Sequence, residues 1–324
     1  MANENGLLHA FLLDGNGSCS ELAINDIPLW HKDQGVLWLH FDYTNPDTKV
    51  WFQKKSGLNS VIIEALLVDE TRPRTTLIGD GLLIALRGIN HTEEATPDDM
   101  VALRMWIDSD RIVTTRRRKL HAASDIVSLL DQGHGPKDSG EFLVKIIDLI
   151  VSGMSETISN FEDSVADYED AFLEGKTENL RYALATLRRQ AITVRRYLAP
   201  ERDAFSRLLI EKVSWLDENH HIQIREINDS LLRHIENLDA VRERAAVTQE
   251  ELLSRLSEEL NSRMYVLSVM AAIFLPLGFL TGLLGINVGG IPGTNNPSAF
   301  WLFIGLLLGV VAIQIIIFRW KKWF

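Results

Sequence analysis

The chain has 324 residues, 46% of them hydrophobic and 24% charged, and a formal net charge of −11. An acidic surplus argues against nucleic-acid binding, which needs a basic face. The single cysteine, Cys19, excludes an internal disulfide framework and a cysteine-rich zinc site, in keeping with a reducing compartment.

In chain order, the opening "MANENGLLHA" has neither a basic start nor an apolar core, so it is not expected to act as a signal peptide. Leu7 to Leu13, Val36 to Phe41, Leu82 to Arg87, Val101 to Ile107 and Arg111 to Thr115 read as short strands. "TNPDTKVWF" reads as a helix start, with Asn45 as cap and Pro46 in the first turn. "DQGHGPKDSG" (Asp131 to Gly140) is a Gly/Pro break, after which the pattern is helical. Helices are expected from about Ser139 to Leu173, from about Glu178 to Ala199, and again after Pro200. A last helix starts near Asp217. From there Ile224, Ile227, Leu231, Ile235, Leu238 and Val241 recur in steps of three and four, with no Gly or Pro before the apolar region. Continued to Leu284, this helix would be about 95 Å long, a stalk that needs partners along its length.

Residues 264–318 contain no Asp, Glu, Lys, Arg or His. Met264 to Leu284 and Ala299 to Phe318 are almost wholly apolar, and each is about 20 residues, enough to cross a bilayer as helix. The plain alternative, two buried core helices, seldom runs so long without charge. Arg319, Lys321 and Lys322, flanked by Trp320 and Trp323, follow the second segment. The positive-inside rule places that tail in the cytoplasm. Two spans then return the chain's beginning to the same side. The reading by segment is an α/β cytoplasmic domain (1–135), a helical cytoplasmic region (136–216), a long stalk helix (217–263), a first transmembrane helix (264–284), a periplasmic loop (285–298), a second transmembrane helix (299–318) and a basic tail (319–324).

No Walker loop, dinucleotide fingerprint, HExxH or nucleophile elbow occurs, so neither an ATP-driven pump nor an enzyme is expected. The stretch "YVLSVMAAIFLPLGFLTGLLGIN", two C-terminal spans and a short basic tail resemble the CorA metal-ion transporter family. The mark of that family is Gly-Met-Asn at the end of the first span, where this chain has Gly285-Ile286-Asn287. The loop "VGGIPGTNNPS" also lacks the acidic residues of the magnesium transporters. Both departures are similar to the ZntB zinc-transporter branch, as are "DETRPR" (Asp69 to Arg74), "GHGPKD" (Gly133 to Asp138) and "RRYLAPERD" (Arg195 to Asp203).

The resemblance implies a homopentameric funnel in a bacterial inner membrane, with both termini cytoplasmic and five first spans around a central pore. It also implies Zn2+ uptake coupled to protons. Independently, two spans cannot enclose an ion path, and Gln314 in the second span gains from a helical partner. The expected partners are further copies of the chain, the lipid bilayer and divalent metal ions, without nucleic acid and without a cofactor beyond the transported ion. A magnesium or broad divalent-cation channel is the alternative within transport. A membrane-tethered signalling or scaffold protein is the alternative outside it.

The pore chemistry follows. At the entrance, neutral oxygens replace part of an ion's hydration shell without trapping it. Asn287 offers an amide oxygen, Gly285 tolerates a sharp turn at positive φ, and Ile286 lies between them. Helical spacing puts Asn261, Met264, Ser268, Ala271, Leu275, Gly278 and Gly282 on one face, expected to line the pore, with Met264 and Leu275 as apolar constrictions. Thr281 either lines the path or bonds its own backbone. Pro276 removes one backbone donor from mid-span. Adjacent His220 and His221, with Glu218 close by, are candidate zinc ligands that need help from elsewhere. Glu250, Glu251, Glu258 and Glu259 either concentrate cations or form a solvated surface paired to Arg255 and Arg263. Because the spans hold no Asp, Glu or His, proton dependence is expected from Glu258, Glu259 and the His220–His221 pair, or from water in the pore.

Overall fold

The computed structural model describes residues 6–69, 71–92, 94–285 and 296–321. The chain divides into two compact units, Met1–Gln249 and Glu250–Phe324. The first begins with β1 (Leu7–Leu13), β2 (Cys19–Glu21) and β3 (Leu37–Asp42), then α1 (Pro46–Lys55) and α2 (Ser60–Leu67). Next come β4 (Arg74–Ile78), β5 (Gly81–Ile89), β6 (Met100–Ile107) and β7 (Arg111–Arg116), followed by α3 (His121–Asp131), α4 (Ser139–Ser152), α5 (Ser155–Leu173) and α6 (Leu180–Leu208). The helix α7 (Glu218–Gly285) starts in the first unit, and α8 (Ala299–Trp320) lies in the second.

The sheet is mixed and seven-stranded, in the order β2-β1-β3-β7-β6-β5-β4. Only β3 and β7 run parallel, and the crossover between them carries α1, α2 and the β4–β6 meander. Both faces are covered, so strand residues are apolar in both directions. On one face Leu37, Leu39 and Phe41 of β3 pack with Trp51 and Phe52 of α1 and with Ile62 and Leu66 of α2. On the other, Trp38 meets Phe142 of α4 at 4.9 Å between ring centroids, and its indole Nε1 donates to Thr114 Oγ1 at 2.9 Å. Asn45 caps α1 by accepting from Asp47 N, with Pro46 in the first turn, as expected.

Four elements are absent from the sequence reading: β2, β4, α2 and α3. β2 spans three residues, and β4 has the pattern "RTTLI" with threonines in place of an apolar alternation. The single helix expected over Ser139–Leu173 is two. At Gly153 the last turn of α4 tightens, Gly153 N bonding Leu149 O and Met154 N bonding Val151 O, before α5 starts. In the opposite sense, α6 runs through Pro200 to Leu208, where a break was expected. Proline removes only the bond to the Arg196 carbonyl, and Arg196 is exposed, where water serves that oxygen.

The six stalk residues Ile224, Ile227, Leu231, Ile235, Leu238 and Val241 are all buried. α7 is tied to α5 and α6 by ion pairs: Arg244 of α7 forms a two-pronged pair with Glu169, and Asp239 pairs with Arg195 at 2.6 Å. In the second unit α7 and α8 meet where Gln314 of α8 bonds the Ala272 carbonyl of α7, and both helices are long and apolar enough to cross a membrane. The partly covered positions of α8 are Ala299, Phe303, Ile304, Leu307, Val310, Val311 and Gln314, with Phe318 buried, and those from Ile304 through Leu307, Val311 and Gln314 to Phe318 recur in steps of three and four.

Candidate functional site

At the start of α7 a reciprocal cap is formed. Asp217 Oδ1 accepts from His220 N at 2.9 Å, and His220 Nδ1 accepts from Asp217 N at 3.2 Å. An imidazole thus takes the place of the usual glutamate of a capping box. His221 Nδ1 meets the Asp217 carbonyl at 2.8 Å. His220 is buried against α4 at Gly140, where a Cβ would lie 2.5 Å from the imidazole Cε1. The Nδ1 atoms of both histidines are therefore occupied by the first turn of α7, leaving the Nε2 atoms for any other ligand. His220 and His221 belong to the first unit, Glu258 and Glu259 to the second. Among the described residues no group of three or more His, Cys, Asp or Glu is gathered in a way that could hold a metal ion.

Lower on α7, Glu259 pairs with Arg263 at 3.9 Å and Glu258 is exposed. Asn261, Met264, Ser268, Ala271, Leu275, Gly278 and Gly282 all lie on α7 and are all exposed within one chain, Met264 at 65% and Leu275 at 72%. The partly covered positions of the same segment are Val269, Ala272, Ile273, Leu277 and Leu280. At 100° per residue the mean directions of the two sets differ by about 150°. α8 therefore covers one side of α7 and leaves the expected pore row open on the opposite side. Thr281 Oγ1 donates to Leu277 O at 2.9 Å, the backbone alternative for that residue.

Gly285 is the last residue of α7 and remains helical; it is not among the described glycines at positive φ. Gly285 itself is helical, and a turn beyond it falls outside the described residues. A Cβ at Gly285 would meet nothing within 4 Å in this chain. Ile286 and Asn287, the rest of the tripeptide, lie outside the described residues, as do Gly289, Gly290, Pro292, Gly293, Lys322 and Trp323.

One titratable residue was missed. Glu201, within "RRYLAPERD", is fully buried, and burial pushes its carboxyl from 4.5 up to about 8 against the opposing effect of Arg87. Its sequence signal is faint: a glutamate at a position that the helical period of α6 places among buried Leu198, Ala204 and Phe205.

The family described as CorA-like Mg2+ transporter protein matches residues 33–322. A Pseudomonas aeruginosa protein named divalent cation transporter CmaX is 37% identical over 330 residues, covering 99% of this chain and 98% of its own. A Pectobacterium carotovorum subsp. carotovorum protein named zinc transport protein ZntB is 39% identical over 306 residues, covering 94% of this chain and 92% of its own. The solved structure of full-length CmaX superposes with a TM-score of 0.84 at 36% identity, covering 99% of both chains.

Proposed function

The chain belongs to the family of CorA-like Mg2+ transporter proteins, and from that premise we propose that it moves Zn2+ through a pore enclosed by five copies in a bacterial inner membrane. The observation that carries this reading is the open side of α7. A row of small and apolar residues, without an ionisable group from Met264 to Gly282, is left uncovered by the chain's own second span. Lipid alone would satisfy such an apolar row, but the two spans of one chain enclose no ion path, so transport calls for further copies. Five copies around an axis would turn the rows inward, with Met264 and Leu275 as the narrowest apolar rings. Asn287 would then contribute a ring of amide oxygens at the mouth, weak enough to let a divalent ion leave.

Zinc is favoured by the ZntB relative at 39% identity and by a loop free of acidic residues. A broad divalent-cation channel is the second reading, favoured by CmaX at 37% identity over 99% of the chain. If transport is proton-coupled, the carboxylates and imidazoles available to it lie outside residues 264–318, with Glu258, Glu259 and His221 as the candidates, or protons move with pore water. Both termini would face the cytoplasm, held by Arg319 and Lys321.

The test is uptake of zinc and magnesium into liposomes holding the purified protein, with and without a pH gradient, for the native chain, Glu258→Gln/Glu259→Gln and His221→Ala. Zinc uptake in excess of magnesium, rising with an inward proton gradient, is expected, and loss of that rise in either variant would locate the coupling. Equal uptake of both ions would favour the broad channel. No uptake of either would leave the membrane-tethered scaffold.

A further inference from the structure

Pro276 sits inside α7. In an α-helix the amide of residue 276 would donate to the carbonyl of residue 272, and proline has no amide hydrogen to give. The Ala272 carbonyl is thus deprived of its partner, and the pyrrolidine ring crowds it outward. In hydrocarbon no water replaces the lost bond.

The oxygen is not left alone. Gln314 Nε2, from α8, donates to Ala272 O at 3.1 Å. Gln314 is the one strongly polar side chain between Ala299 and Phe318. Ala272 lies on the side of α7 that α8 covers, so an amide at this height of the second span can reach it. The orientation of the amide follows from chemistry, since a carbonyl oxygen accepts only from the nitrogen end. Gln314 Oε1 has no partner among the described residues. The bond made is therefore the one that the proline calls for.

We propose that Gln314 is a positioning residue for the ion pathway: its amide takes the Ala272 carbonyl that Pro276 frees, and so holds the turn Ala272–Pro276 of the first span against the second. Leu275, on the open row of α7, belongs to that turn. Its position in the pore is set from behind by a residue that never touches the ion. The proposal rests on the reading of α7 as the pore-lining helix.

The test is a two-residue cycle of Gln314→Met, which keeps length and removes the donor, and Pro276→Ala, which returns the backbone donor. Zinc uptake and the melting temperature of the assembled protein are measured for both singles and the double. Gln314→Met is expected to lower uptake roughly three- to tenfold, the range given by one interhelical hydrogen bond. The double variant should return to the level of Pro276→Ala alone, because the alanine N–H then serves Ala272. Pro276→Leu supplies the same N–H if the alanine variant does not assemble. Native uptake in Gln314→Met, or a double variant as slow as Gln314→Met, would overturn the proposal. If the native protein itself carries no cation, the transport reading falls instead. The melting cycle then decides whether the bond exists, by a loss in Gln314→Met that Pro276→Ala does or does not restore.

Discussion

Glu201 follows Pro200 in α6, and its Oε1 accepts from Arg87 N at 3.0 Å while Oε2 has no partner among the described residues. The need for that bond arises in the sheet. β4 begins at Arg74, opposite Ala85, directly after Pro73, so from Leu86 to Ile89 β5 is paired with β6 on one side and has no strand on its β4 side. Glu201 reaches in from α6 and takes an amide that a longer β4 would have taken. "DETRPR" and "RRYLAPERD" thus meet here: Arg87 Nη2 donates to Thr71 O at 3.1 Å, and the Arg87 guanidinium stacks 4.7 Å from the Tyr197 ring centre. A carboxyl raised to about 8 by burial favours its protonated form in the fold. Its contribution to stability is therefore complete below about pH 4.5 and is lost as pH rises towards 8, by up to about 1.4 kcal/mol per pH unit. Glu201→Gln keeps an acceptor for Arg87 N and cannot ionise. Its melting temperature should fall less than the native one between pH 5 and pH 9. Parallel pH profiles of the two proteins would show that Glu201 does not carry the dependence.

Among the elements, α7 is fixed at its start by the Asp217–His220 cap and by the close approach of His220 to Gly140. An alanine Cβ at 140 would lie 2.5 Å from Cε1 and 2.8 Å from Nδ1 of a ring that is buried and hydrogen-bonded. Gly140→Ala should cost about 1–3 kcal/mol, as overpacked sites do. Removing the ring in the Gly140→Ala/His220→Ala double should relieve that clash, so that the glycine substitution costs less in the His220→Ala background than in the native one. Equal costs in both backgrounds, by denaturant unfolding, would contradict the contact.

The same elements show what pattern reveals and what it hides. The five strands with clear apolar runs, the Asn45 cap and the stalk stripe were legible because each depends on neighbours within a few residues. β2 and β4 were not, because a short or threonine-rich edge strand is specified by the strand it pairs with. Pro200 misled the reading because proline breaks a helix only where its orphaned carbonyl finds no other partner. In the candidate site, a period of 3.6 sufficed to put the proposed pore residues on one side of α7, away from its partly covered positions. The pairing of Gln314 with Ala272 was not, although both Pro276 and Gln314 stood out. Forty-two positions separate donor and acceptor, and only the meeting of α7 and α8 brings them together. Likewise His220 had the residue type of a zinc ligand, and in the fold it caps α7 with Asp217 while its ring lies against Gly140.

For the whole molecule, the described residues of a single chain include two helices long and apolar enough to cross a membrane. Two helices enclose no path, and α8 leaves one side of α7 bare, so the account requires copies around an axis. A mass of five chains is expected for the detergent-solubilised protein. The central claim, that divalent ions enter through a ring of Asn287 amides at the end of α7, is tested most directly by zinc uptake into liposomes carrying either the native protein or Asn287→Ala, both at the five-chain mass. The native protein should show rapid saturable uptake, and Asn287→Ala near-background uptake. Native-rate uptake by the fully assembled Asn287→Ala protein would contradict it.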